Sequence, residues 1–302
     1  MTADGNGEGK MAFKSLSDIE KYCADNNVRY GRAVMLEDMR ESGRSGDETL
    51  KRMEETWSAM EEALDDYDRL RRSQSGLSGG DGGKMQDYVN QGGCMSGTLM
   101  GNIIAAAIKM GESNACMRRI VAAPTAGASG VLPAVLVCCA REYGSGTDEI
   151  NEALFTAAGI GQVIAERAYI SGAMGGCQAE VGAASAMAAG ALVALREGSP
   201  AMINYAAAMS LQNLLGLVCD PVGGLVEIPC VKRNVIGAVS AMAAADMALA
   251  GIVNKINPDD VIDAMREVGD RMDPAFKETG EGGLAATVSG RKLAEKLNLE
   301  LK

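Results

Sequence analysis

Between Met85 and Asn254 runs a 170-residue stretch that holds only 20 of the chain's 69 charged side chains. Ala, Gly and Met fill it, and aromatic residues make up only 4% of the whole sequence. Small side chains let backbones approach closely, which suits helix packed on helix, whereas strands favour β-branched and aromatic residues. No alternation of period two runs far enough to define a strand. The expected fold is therefore all-α, an Ala/Gly-rich helical core.

Charge divides the rest. Residues 1–84 carry 31 charged side chains and residues 255–302 carry 18. Residues 1–72 read as a charged helical arm, 73–84 as a Gly/Ser-rich linker (SQSGLSGGDGG, then Lys84), and 85–302 as the helical core. Ser15 and Asp18 have the spacing of a capping box. From Glu48 to Arg72, Leu50, Met53, Trp57, Met60, Leu64 and Tyr67 repeat at three and four residues, the pattern of an amphipathic helix. Gly93, Gly97, Gly101 and Ala105 recur every fourth residue, predicting one small-residue face on a helix. Ile120 to Ala140 is 21 residues without a charge. Its Pro124, Gly127, Gly130 and Pro133 would leave backbone groups unsatisfied in lipid, so it is not read as a membrane span. Val181–Leu195 is too short to span and reads as a buried helix.

Composition removes several kinds of chemistry. With 29 basic and 40 acidic residues, the net charge is −11, which argues against nucleic-acid and anionic-membrane partners. Histidine is absent, and with it any His-containing triad or histidine base from this chain. The opening MTADGNGEGK lacks the apolar run of a secretory signal, so a cytoplasmic location is expected. The eight cysteines include no CxxC pair and are too sparse for a disulfide scaffold. Cys138 and Cys139, inside VLPAVLVCCA, read as core filler.

Three segments break the small apolar background. Ala122–Gly130 (AAPTAGASG) reads as a loop with two hydroxyls, Thr125 and Ser129, and successive N–H groups that suit a carboxylate or phosphate; a plain interhelical connection fits the composition equally. Ser171–Gly182 (SGAMGGCQAEVG) presents Cys177 after two glycines, followed by Gln178 and Glu180. Leu217–Asn234 (LVCDPVGGLVEIPCVKRN) places a proline near each of Cys219 and Cys230, forcing extended or turning backbone. Lys232 and Arg233 after Cys230 are expected to lower its thiol pKa. By spacing alone, three separated cysteines are weak evidence of a ligand set, and two of the three read more readily as buried thiols.

Those segments, together with NACMRRIVAAPTAGASGVLPA, closely resemble the α chain of the iron–sulfur-dependent L-serine dehydratases (L-serine ammonia-lyases). ETGEGGLAATVSG, Glu278 to Gly290, is similar to that family's C-terminal signature, and SGLSGGDGGK to the start of its catalytic part. The resemblance covers roughly residues 75–290. It implies a 4Fe–4S cluster on Cys177, Cys219 and Cys230, with one iron left free to act as Lewis acid on L-serine. Water is then lost across Cα–Cβ, giving pyruvate and ammonia and feeding gluconeogenesis, without pyridoxal phosphate. Independently, the only lysines from Met85 to Asn254 are Lys109 and Lys232, neither in the Ser-Xaa-Lys context of pyridoxal-type serine dehydratases. Catalytic candidates are Thr125, Ser129 and Lys232; substrate-binding candidates are Thr125, Gly127, Ser129, Arg233 and Asn234. Lys232, Arg233 and Asn234 have a second reading, as groups that offset cluster charge or hydrogen-bond its ligands. Glu180 stands last, as an acid or base beside the ligands or, more commonly for such a residue, as a partner for a buried backbone group.

The chain departs from single-chain members of that family, which carry a further domain with a histidine-containing serine-binding motif. It is thus similar to the α chain of the two-subunit type and implies a separate β chain that completes the site. Some relatives end in a cysteine that caps the cluster; this sequence ends LNLELK. Its loop reads PTAGA where PTAGS is commoner. The same residues suit a lyase of cysteine or threonine, or a non-catalytic zinc subunit drawing a fourth ligand from Asp220 or Glu227.

Overall fold

Ala183–Leu195 forms the helix around which the others are arranged, and every one of its thirteen residues is buried. A helix apolar on all sides belongs in an interior. In this computed structural model, which describes residues 13–297, thirteen α-helices and no strands occur among the described residues. The polar start of the chain and the ending LNLELK, each the basis of an expectation above, lie outside the described residues except for Leu297.

In chain order the helices are α1 (Leu16–Asn26), α2 (Tyr30–Ser42), α3 (Gly46–Asp65), α4 (Asp81–Asn90), α5 (Thr98–Ala115) and α6 (Val131–Tyr143). Then follow α7 (Thr147–Arg167), α8 (Gly172–Gly175), α9 (Ala183–Leu195), α10 (Pro200–Gln212), α11 (Cys230–Leu249), α12 (Pro258–Arg271) and α13 (Val288–Lys296). Helices α6, α7, α10 and α11 surround α9. Glycine makes the closest approach possible: a Cβ on Gly190 would lie 2.2 Å from Ile160 Cδ1. Hydroxyl pairs tie the surrounding helices to α9 and to one another. Ser185 Oγ meets Ser210 Oγ at 2.6 Å and donates to the Gly237 carbonyl at 2.6 Å, linking α9, α10 and α11.

One wide π turn, Gln178–Gly182, leads directly into α9. The resulting run Gln178–Leu195 is 18 residues long, and 94% of it is buried inside the fold. It is longer than the expected Val181–Leu195 and meets the length and apolarity of a membrane span, but its surroundings are protein. Wide turns of this kind cluster at functional sites, and this one begins immediately after Cys177.

The first three helices join the same buried apolar cluster through residues such as Ile19, Tyr30, Val34, Met60 and Leu64. Their ends are secured by carboxylates from distant helices. Glu152 of α7 accepts the Gly31 and Arg32 N–H groups at 2.6 and 3.1 Å. Asp259 of α12 accepts those of Leu16 and Ser17 at 2.8 and 3.2 Å. Each carboxylate satisfies N–H groups that helix geometry leaves unpaired and complements the helix dipole. Ser15 caps α1 as expected, accepting from Asp18 N, but the Asp18 carboxylate returns to Lys14 N, so the box is half formed. The complete box is Ser45 with Glu48 at the start of α3.

Two sequence expectations are corrected. The amphipathic pattern to Arg72 outruns its helix: α3 stops at Asp65, where Asp65, Asp66 and Asp68 oppose the negative end of the helix dipole, and Tyr67 lies beyond. Gly93 and Gly97 do not extend a helix face with Gly101 and Ala105. Gly97 takes φ 81° just before α5, a left-handed conformation that starts the helix rather than continuing it. The Gly/Ser-rich loop after α3 ends at Gly80, with Asp81 opening α4.

Candidate metal and substrate site

Three connections converge beneath the start of α9: the loop Ala122–Gly130, the turn carrying Cys177, and the segment from Cys219 to Cys230. Cys177 sits between α8 and the π turn. Gln178, next to it and wholly buried, fixes that turn. Its amide donates to the Met265 carbonyl at 3.0 Å, its carbonyl accepts from Gly216 N at 2.8 Å, and its own N–H reaches Leu217 O at 2.9 Å. Cys219 lies on a short extended stretch paired with the C-terminal segment. Its N–H donates to Phe276 O and its carbonyl accepts from Glu278 N, each at 2.8 Å. Cys230 opens α11 directly after a cis Ile228–Pro229 bond.

The sulfurs of Cys177 and Cys219 and a carboxylate oxygen of Glu180 lie within 4.8 Å of one another. Cys230 is near enough for its charge to act on Cys219, and that of Cys177 to act on it. All three cysteines are buried. A Cβ on Gly172 would stand 2.8 Å from Cys219 Sγ, so glycine leaves that sulfur its space. Arg233 reaches across this group: it donates to Cys177 Sγ at 3.5 Å and to Val218 O at 2.6 Å, and pairs with Asp220 at 2.7 Å.

Electrostatics separate the thiols. The neighbouring Cys219 thiol and then the Arg233 cation hold Cys177 below the ordinary thiol value, against burial. Sharing that hydrogen bond raises Cys219, with burial adding to it. Burial pushes Cys230 up to about 12. The expected lowering at Cys230 is therefore corrected: the Arg233 guanidinium, three residues along, reaches Cys177, and burial governs Cys230. Burial also raises Glu180, against the hydrogen bond it accepts from the Thr125 hydroxyl.

The Ala122–Gly130 loop is held from α11. Asn234 accepts from Gly130 N at 2.8 Å and donates to Gly127 O at 2.8 Å and Cys230 O at 3.0 Å. Gly127 lies against Glu180, whose Oε1 would be 2.6 Å from a Cβ there. Thus Thr125, Gly127, Glu180, Arg233 and Asn234 are gathered around the cysteines. Ser129 is wholly buried, and its hydroxyl has no protein partner among the described residues. At the end of the expected loop the N–H groups of Ser129 and Gly130 are already engaged, by Ala126 O and Asn234 Oδ1. Lys232 is exposed, and Asp81 is the carboxylate on which its charge acts. Asp220 and Glu227 are directed away from a ligand role: Asp220 to Arg233 and Leu284 N, Glu227 to the hydroxyls of Ser73 and Ser75. Sequence reading underrated Glu180, the carboxylate nearest the sulfurs; its position three residues after Cys177 was the available signal.

Buried thiols, one carboxylate and a cation that offsets their charge make a donor set that could hold a metal ion in a helical protein. The family model for the serine dehydratase alpha chain matches residues 25–285, and the chain belongs to that family. It is 43% identical over 285 residues to the probable L-serine dehydratase alpha chain of Bacillus subtilis (strain 168), covering 94% of this chain and 95% of that one. With the L-serine dehydratase alpha chain of Peptoniphilus asaccharolyticus it shares 38% identity over 277 residues, covering 91% and 95%. The L-serine dehydratase of Streptomyces coelicolor is 40% identical over 286 residues, which are 92% of this chain but 62% of that longer relative.

Proposed function

We propose that the chain is the α subunit of an enzyme that converts L-serine to pyruvate and ammonia, with a 4Fe–4S cluster held by Cys177, Cys219 and Cys230. The observation that carries this reading is the meeting of Cys177, Cys219 and Glu180 within 4.8 Å, with Cys230 electrically coupled to them. The donor set suits such a group: buried thiols favour iron–sulfur ligation, and Arg233 supplies positive charge beside them. A zinc ion would need Glu180 as its fourth ligand, because Asp220 and Glu227 are both engaged elsewhere. Bound through three cysteines, the cluster would supply a Lewis acid for departure of the serine hydroxyl.

The chain's own residues would do the rest. Arg233 orients Cys177 and offsets thiolate charge. Asn234 keeps the loop against α11, which sets Thr125 and Gly127 beside Glu180. Thr125 orients the Glu180 carboxyl, and burial favours its protonated form, so this group can hold a proton near the reacting carbon atoms. Arg233 is occupied, so Lys232, exposed two residues after Cys230 and without an ion pair within 4 Å among the described residues, is the cation available to a substrate carboxylate. Ser129 completes the loop from its interior. Removal of the α-proton and the β-hydroxide leaves aminoacrylate, which tautomerises and hydrolyses to pyruvate and ammonium. With no histidine in the sequence, the remaining acid–base group is assigned to a separate β chain. The substrate could equally be tested as cysteine or threonine, since one methyl group discriminates by only about 1–3 kcal/mol.

Anaerobic purification, iron and sulfide analysis, and pyruvate formation with and without the β chain test this reading. About four irons per chain, as a 4Fe–4S centre requires, with turnover only after mixing, supports it. A colourless protein without iron after anaerobic reconstitution refutes it, and full turnover by the α chain alone removes the partner's catalytic role.

A further inference from the structure

Helices α3, α4, α5 and α6 enclose a cavity of about 400 Å³ that shares no residue with the cysteine site. Leu64, Leu99 and Ala106 make part of its wall apolar, and Lys109 of α5 enters it. Gly111, two residues further and so about 200° around the helix, packs instead on Val231 beside Cys230. The cavity therefore opens on the opposite side of α5 from the cysteines.

Its cations are not equally neutralised. Arg141 is gripped by Asp65 at 2.9 and 2.8 Å and approaches Glu61 at 3.5 Å. Lys109 has neutral partners only: it donates to Gln86 Oε1 at 2.7 Å and stands 5.9 Å from the centre of the Tyr67 ring. No carboxylate lies within 4 Å of its ammonium among the described residues. Asn102 accepts the Gln86 amide at 2.9 Å, leaving its own NH2 without a protein acceptor among the described residues. Glu142 is exposed at the rim, and Cys138, raised to about 11 by burial, stays a neutral thiol. Burial lowers the Lys109 pKa although the Asp65 carboxylate, itself gripped by Arg141, acts from a distance to raise it, as expected of a half-buried ammonium with no counter-ion in contact.

We propose that this cavity binds a small aliphatic carboxylate, its anionic end on Lys109 and Asn102 and its hydrocarbon against Leu64, Leu99 and Ala106. A cavity of this size between helices, with convergent polar groups facing an apolar patch of wall, has the form of a small-molecule site. The carboxylate replaces the missing counter-ion, and the apolar wall favours it over inorganic phosphate. The inference is independent of serine turnover.

Cys138 lines the cavity and reports its occupancy. In the complete enzyme under anaerobic conditions, alkylation of Cys138 by N-ethylmaleimide is followed by peptide mass spectrometry with butyrate, butyramide or inorganic phosphate. Butyrate should slow labelling at least threefold, and the other two should not. Lys109→Met should weaken the butyrate effect at least tenfold; Asn102→Ala, a smaller change in a half-buried residue, should weaken it severalfold and serves if Lys109→Met fails to fold. Equal protection by butyramide or phosphate, no protection by butyrate, protection unchanged in a folded variant, or a Cys138 already inaccessible in the complete enzyme would overturn the proposal.

Discussion

Among the described residues Arg233 is the only guanidinium in contact with the cysteine group, and it bridges Cys177, the Val218 carbonyl and Asp220. Arg233→Met leaves the Asp220 carboxylate buried without its cation. Such a change typically costs about 3–5 kcal/mol, measurable as a fall in the urea midpoint. Adding Asp220→Asn should restore at least half of that loss while iron retention stays impaired, because Cys177 has still lost its positive neighbour. A lysine at 233 cannot replace the forked donor geometry that reaches three acceptors. The presence of a cation beside the cysteines was legible in the Lys-Arg pair after Cys230, but its target was not. Arg233 lies three positions along α11 from Cys230, and the tertiary fold aims it at a sulfur 56 residues upstream. The same limit explains Glu180: its identity was visible, whereas its proximity to Cys219 depends on the pairing of Cys219 with Phe276 and Glu278.

Helix α2 lacks a side-chain cap of its own, and Glu152 replaces it from α7. The contact is so close that a Cβ on Gly31 would fall 2.2 Å from the Glu152 carbonyl oxygen. Gly31→Ala should therefore destabilise the protein by more than about 2 kcal/mol, since neither backbone can yield without disturbing packing. Gly46→Ala, at the start of α3 where the nearest atom would be 3.7 Å away, should be neutral or slightly stabilising. Thermal unfolding of the two variants separates a steric requirement from a general glycine effect. Helix type was legible because a core of small residues without alternation leaves little else to form. Boundaries were less so. A repeat of three and four residues continues through Tyr67 after α3 has ended, because apolar spacing records burial and not backbone hydrogen bonding. At Gly93 and Gly97 a regular spacing was produced by turns, and only the backbone angle at Gly97 distinguishes them from a helix face.

Across the whole molecule, the all-α architecture followed from composition, while the acidic clamps that join its two ends did not, because nothing local marks Asp259 as the partner of residues 16 and 17. Asp259→Ala should cost about 0.5–2 kcal/mol, the usual range for a lost N-terminal cap. Hydrogen exchange should accelerate most at Leu16 and Ser17, and little in α9, if the clamp acts locally. That clamp also sets an order of events. Leu16 and Ser17 are separated from Asp259 by 243 and 242 residues, and at about 5–20 residues per second a ribosome needs roughly 12–50 seconds to cover that distance. For most of its synthesis the leading helix must wait, its first amides turned to water, for an anchor that has not yet been translated.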